Sequence, residues 1–522
     1  MTQRPEILDA DDRQQIAAHG LTLEEVSRQL ELYRRPASYT RLRKPCLRGD
    51  GIRALSADAC ARYAELFDRS VGAREPIKFV PASGAASRMF KTPLRFLHAE
   101  SPVGRDDLRR ASGQGDRDAA ELEALLAGLE RTAFYEDLTA ALRRAGHDPA
   151  TVQAGDVRPL LETLLTDRGL GYAALPKALL RFHRYGDERR TAMEEHLVEA
   201  TRYSRDAAGC CRLHFTVSDE HLEACREHAA RASLRYGERF GVRYDVGFSL
   251  QKRSTDSLAV DPDGRPFRDD RGRLLLRPAG HGALLDNLAD LAGDIVFIKN
   301  IDNVVPDHLK DTTYLWKRAL GGLAVALQER CFDHLAALDQ DGSERAVEAA
   351  LAFARDELGA PLADLAGAPV ARRSVGAVDA LDRPLRVCGM VLNQGEAGGG
   401  PFWAETHAGV TKQIVESTQV DPEDREQQQL LASSTHFNPV DLVCLLRDRH
   451  GRCYDLERFV DLNAYLVVEK SHEGRPLRAL ERPGLWNGSM AYWNTVFVEV
   501  PVETFTPVKT VNDLLRPAHQ SA

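Results

Sequence analysis

No apolar run in this chain approaches the roughly 18 residues of a membrane span. The opening MTQRPEILDADDRQQ also lacks the apolar core of a secretory signal. A soluble, cytoplasmic protein without a membrane partner is expected. Basic residues are not in excess: 69 Lys and Arg against 78 Asp and Glu give a net charge of −9, with a pI near 6.0. That balance argues against a general nucleic-acid binder, which needs cations to displace the counterions of phosphates. The nine cysteines are odd in number and form no CxxC pair and no zinc spacing, so they read as buried thiols. Also missing are the Gly-Lys-Ser/Thr ending of a P-loop, an ordered G-x-G-x-x-G and any internal repeat.

What remains is a chain of 522 residues, 43% hydrophobic, able to bury a large core as one elaborated domain or two to three smaller ones. Negatively charged ligands have to be met by local basic groups. The segment from Ile77 to Lys91, IKFVPASGAASRMFK, supplies a candidate. An apolar run breaks into the small residues Ser83, Gly84, Ala85, Ala86 and Ser87 and then meets Arg88 and Lys91. Small side chains let backbone N–H groups approach an anion closely, and a following helix N-terminus adds partial positive charge. A plain strand-to-helix connection packed with small residues fits the same string.

Residues 1 to about 70 read as helical, with a Thr22/Glu25 capping box and Leu23, Val26, Leu30 and Tyr33 at helical spacing. From Ile77 onward short β-rich runs alternate with helical patterns: IKFVP, RLHFTVS, VRYDVGFSL and DIVFIKN. This alternation predicts an α/β fold with a mostly parallel sheet. Two Ala/Leu/Arg/Asp/Glu-rich stretches, about 101–170 and 329–380, read as helical insertions, and Gly395 to Trp403 as a flexible loop.

Further motifs follow in order. Pro176 and Lys177 place a cation at the entrance of an apolar segment, or are a solvated loop. Gln251 ends a strand with an amide that both donates and accepts, as recognition of a base edge requires. Gly280, His281 and Gly282 precede a helix, where a flat base could lie against backbone or where His281 simply starts the helix. Asp302 follows the strand DIVFIKN, where a carboxylate can hold a hard divalent ion or cap a turn. Lys509 follows a late strand and is otherwise surface charge.

The order of these strings, SGAASRM, LPK, FSLQ, PAGHGALLDNL, FIKNIDN, QIVESTQVD, HFNPVDL and FTPVKTVNDLL, resembles the UDP-sugar pyrophosphorylases within the nucleotide-diphospho-sugar transferase superfamily, over about residues 77–516. More closely, PASGAASRMFK and HFTVS resemble the bacterial family called domain of unknown function 4301. The resemblance implies a Rossmann-like, GT-A type sheet with helical insertions: a helical segment over 1–70, an α/β domain over 71–516 and a tail over 517–522. It implies transfer of a nucleoside monophosphate, with a lean to UMP, from a nucleoside triphosphate to a sugar-1-phosphate, with Mg²⁺ as cofactor. Partners would be the triphosphate and a phosphorylated small-molecule acceptor, with no nucleic acid; the oligomeric state is open.

Carried residue by residue, the resemblance makes Arg88, Lys177 and Lys509 the catalytic cations. Ser83, Gly84, Ala85, Ser87, Gln251, Gly280 and Gly282 become nucleotide contacts, Glu416 and Asn438 sugar contacts, and Asp302 and Asn494 metal contacts. Ala86 stands where the superfamily has a second glycine, and Trp493 where it often has an aspartate. Those departures keep two alternatives open: a nucleotide or nucleotide-sugar binding protein without turnover, and transfer to a non-sugar phosphate.

Overall fold

The structure, a computed structural model, describes residues 8–84, 86–99, 103–291, 293–396 and 398–521. The chain divides into two units: Met1–Glu75, Gln251–Phe297 and Arg318–Val500 form the first, and Pro76–Leu250, Ile298–Lys317 and Pro501–Ala522 the second. It is a mixed α/β protein whose largest sheet is mostly parallel. Among the described residues no helix is long and apolar enough to cross a membrane.

In the second unit the apolar run at Ile77 becomes the strand Pro76–Pro81, paired parallel with Cys210–Val217, which pairs parallel with Arg243–Leu250. Near-continuous apolar sequence is what a strand covered on both faces needs, and Phe79, Val80, Leu213 and Phe215 are almost fully buried. Among its described residues the stretch expected as a helical insertion contains five helices, from Arg105–Gly113 to Arg158–Leu165. Leu122, Leu126, Leu160 and Leu164 share one core with Val80 and Phe215, so the insertion is built into this unit. The helix Ala192–Tyr203 starts on a Thr191/Glu194 capping box and is buried along nearly its whole length, including Glu195, His196 and Glu199.

In the first unit the strands run in the order Leu47–Arg48, Gly51–Arg53, Asn494–Glu499, Leu385–Leu392, His436–Leu445, all joins parallel except the last. The Thr22/Glu25 capping box is present, with the Thr22 N–H donating to Glu25 at 2.8 Å; Val26, Leu30 and Tyr33 are buried, while Leu23 lies in the exposed first turn.

Two expectations need correcting. The segment 1–70 is not wholly helical: Leu42–Pro45, Leu47–Arg48 and Gly51–Arg53 are strands. Leu42 is buried there, its N–H held by the Gln427 side chain at 2.7 Å, so tertiary partners set the backbone. The loop expected over Gly395 to Trp403 gives way at Gly399 to the strand Gly399–Thr406, paired antiparallel with Gly409–Glu416. Phe402 and Ala404 bury against Leu42 and Val415, and that burial overrides the loop propensity of the glycines.

Candidate functional site

In the second unit, lysines from two distant segments meet one carboxylate. Lys177 opens the short 3-10 turn Lys177–Leu179 behind Pro176, whose fixed φ aims the turn. Its Nζ donates to Asp302 Oδ2 at 2.9 Å and to the Val508 carbonyl at 2.8 Å. Lys509 Nζ donates to the same Asp302 oxygen at 3.2 Å. Asp302 lies just beyond the strand Ile295–Lys299, and its own carbonyl accepts from Val508 N–H at 3.0 Å. The neighbouring Asn303 clamps the late segment from both sides: its amide donates to Thr504 O at 3.3 Å and its oxygen accepts from Thr506 N–H at 3.0 Å. That clamp positions Lys509.

The small-residue turn belongs to the same assembly. Ala86 N–H donates to Leu175 O at 3.1 Å, and Met89 O accepts from Val511 N–H at 3.1 Å. The turn is thereby tied to both lysine-bearing segments. Ser83, Gly84, Ser87 and Arg88 are exposed on it, and a Cβ added to Gly84 would meet nothing within 4 Å, so its backbone is open to an incoming group. Ala85 lies outside the described residues. The helix expected at the turn starts only at Lys91, after the 3-10 turn Ala86–Arg88, and spans seven residues. The pull on an anion therefore falls to side-chain charge more than to a helix dipole.

Burial above all lowers the Lys177 ammonium's pKa; Asp302 pulls the other way, while Lys509 and Arg88 add repulsion. Burial pushes the Asp302 carboxyl up, but Lys177 and Lys509 together outweigh it and hold it below the usual carboxylate range. Two lysines thus share a single carboxylate, with Arg88 close enough to repel Lys177, an excess of positive charge suited to phosphates. Asp302 Oδ1 is buried without a hydrogen-bond partner. An ionised oxygen left open in this way fits a divalent cation that takes one protein carboxylate and completes its shell with phosphate and water, as Mg²⁺ does. Among the described residues no group of three or more His, Cys, Asp or Glu could hold a metal unaided.

The remaining expected residues lie in the first unit. Gln251 donates to Asp256 at 3.4 Å. His281 stacks on Trp486 with centroids 4.2 Å apart. Leu485 N–H donates to His281 Nδ1 at 3.0 Å, which leaves the proton of the neutral ring on Nε2, 4.0 Å from Glu416 Oε1. Trp486 Nε1 donates to the same Glu416 oxygen at 3.4 Å. Asn438 accepts from Val440 N–H at 3.1 Å inside its own strand. Asn494 opens a buried strand, its amide directed to Leu381 O at 3.5 Å. Gly280 has φ +76, and a Cβ on Gly282 would sit 2.0 Å from the Pro483 carbonyl oxygen. Close packing alone therefore requires Gly282. Gly282→Ala is expected to destabilise by about 1–3 kcal/mol through overpacking, read as a lower urea midpoint; an unchanged midpoint would remove this packing reason.

Sequence reasoning did not identify the Val508 carbonyl or the buried Lys299. The signal for Lys299 was present: a lysine ending an otherwise apolar strand, IVFIK, must bury its charge against an acid. That acid is Glu199, 2.8 Å away.

Among solved structures, the chain is similar to the uridine diphosphate N-acetylglucosamine pyrophosphorylase of Trypanosoma brucei, at 12% identity and TM-score 0.49, covering 96% of this chain and 76% of that one. It is also similar to a UDP-glucose phosphorylase of the same organism (13%, TM-score 0.44, covering 98% and 80%). A further similarity is to a putative UDP-N-acetylglucosamine pyrophosphorylase of Entamoeba histolytica (11%, TM-score 0.41, covering 87% and 80%). A search of curated proteins finds no match. The family model described as domain of unknown function (DUF4301) matches residues 9–520, and the chain belongs to that family.

Proposed function

We propose that this protein is a nucleotidyltransferase that moves a nucleoside monophosphate, UMP by preference, from a nucleoside triphosphate to a sugar-1-phosphate and releases pyrophosphate. The observation that carries the reading is the meeting of Lys177 and Lys509 on Asp302 Oδ2 beside the Arg88 turn. An acceptor phosphate oxygen attacks the α-phosphorus and the bond to the pyrophosphate oxygen breaks. This displacement needs alignment and charge neutralisation more than covalent help. Lys177, Lys509 and Arg88 supply the cations, and the open backbone at Gly84 admits a phosphate. Asp302 Oδ1 would hold Mg²⁺, which when bound neutralises phosphate charge.

The competing reading, a binder without turnover, rests on Trp493 and on Ala86. Ala86 is fully buried with its N–H bonded to Leu175, so its methyl group lies in the core and takes no space from the exposed turn. The test is Mg²⁺-dependent pyrophosphate release over the four ribonucleoside triphosphates and a panel of sugar-1-phosphates. Release with a uridine nucleotide supports the proposal; thermal stabilisation without release with any pair supports the binder.

The pH profile adds a second check. Phosphate binding needs the Lys177 ammonium, which burial makes easier to deprotonate than an ordinary lysine. Charge is lost as pH rises, so the alkaline limb of kcat/KM should begin below the ordinary lysine range near 10.4. Lys177→Arg, which cannot titrate there, should move the limb upward; an unmoved limb would detach it from Lys177.

A further inference from the structure

A second concentration of positive charge lies in the same unit and has no role in the chemistry above. A cavity of about 560 Å³ is lined by Arg144, Arg181, Arg189, Arg231 and Arg235 around His228. The helix Tyr135–Arg144 contributes one wall and the helix Leu222–Phe240 another. Its volume falls within the range of small-molecule sites, about 300–1,000 Å³.

Internal ion pairing does not balance this charge. Asp137 holds Arg181 at 2.6 Å, Glu194 holds Arg235, and Glu136 holds Arg189. Among the described residues Arg231 pairs only with Glu227, at 3.8 Å on the exposed helix surface. Arg144 has no carboxylate within ion-pair range among the described residues. The guanidiniums also converge: the His228 ring is held toward its neutral form by burial first, with Arg231, Arg235 and Arg181 repelling a ring proton against the pull of Glu194. Thr191 Oγ lies 2.9 Å from His228 Nε2. In a chain of net charge −9, like charges gathered around a hollow cost self-repulsion that a bound anion would relieve. Planar guanidiniums suit phosphate and carboxylate oxygens alike.

We propose that this cavity binds a small, multiply charged anion bearing phosphoryl or carboxylate groups. Leu179, the last residue of the turn that begins at Lys177, lines the cavity, so an occupant bears on the segment carrying that lysine. Binding itself does not depend on the transferase reading.

The test is calorimetric titration of the full chain with fructose 1,6-bisphosphate and, separately, with citrate. Wild type, the double variant Arg144→Glu/Arg231→Glu and Lys177→Ala are compared. Both arginines are exposed on helices, where glutamate is well tolerated, and thermal unfolding verifies the fold. At least one probe should bind wild type, bind the double variant more than about tenfold more weakly, and bind Lys177→Ala unchanged. Which probe binds tells phosphoryl from carboxylate preference. The proposal is overturned if neither probe binds below about 10 mM, if affinity survives in the double variant, or if it is lost in Lys177→Ala instead.

Discussion

Lys177→Ala is expected to lower kcat/KM for pyrophosphate release by two to three orders of magnitude, about 2.7–4 kcal/mol of barrier, while the protein stays folded. Truncation removes the most buried of the three cations, with its bonds to Asp302 at 2.9 Å and to Val508 O at 2.8 Å. Lys509 still pairs with Asp302, so the carboxylate is not stranded. Asp302→Asn should lose at least as much activity by a different route. Lys177 and Lys509 then face each other without a counter-charge, and the open carboxylate oxygen disappears. The two variants separate in their Mg²⁺ requirement: Asp302→Asn should need more Mg²⁺ for half-maximal rate, whereas Lys177→Ala should not. Near-normal turnover in Lys177→Ala, or one Mg²⁺ curve for both variants, would defeat the assignment.

Glu199→Ala is expected to have the largest effect on stability, about 3–5 kcal/mol, a large share of the 5–15 kcal/mol that holds a typical domain together. Glu199 is fully buried and accepts from Lys78 at 2.8 Å, from Lys299 at 2.8 Å and from the Tyr203 hydroxyl at 2.8 Å. Removing it strips Lys78 and Lys299 of the carboxylate they share in the interior. Even with Glu199 present, burial brings Lys78 down to about 7. Lys78→Met should cost far less, because the Lys299–Glu199 pair survives. A urea midpoint series checks the order; a Glu199→Ala penalty below about 1 kcal/mol would mean that the site relaxes or takes in water. Lys299 ends the strand that leads to Asp302, so this network also sets where that carboxylate stands.

Much of the second unit was legible in the sequence because its signals are local. IKFVP, RLHFTVS and VRYDVGFSL are short apolar runs that became Pro76–Pro81, Cys210–Val217 and Arg243–Leu250 within a residue or two. Lys177, Asp302 and Lys509 were each weak alone, and only the fold shows that they meet. The misread segments are those where distant partners decide. Leu42 is a strand residue because Gln427 holds its N–H. Gly399 starts a strand because Phe402 is buried. The packing need for glycine at Gly282 is likewise set from afar, by the Pro483 carbonyl about 200 residues away. The Arg144–Arg235 cavity was invisible for a similar reason: its arginines are scattered through stretches that read as ordinary charged helix.

The bond from Lys177 to Val508 closes a separation of 331 residues, and that from Lys509 to Asp302 one of 207. Contacts so remote in number form only after long stretches of chain have been drawn together, and loop closure of that kind slows folding. Recovery of pyrophosphate release after dilution from denaturant should therefore trail the return of helical circular dichroism, with the lysine–aspartate cluster among the last features to assemble.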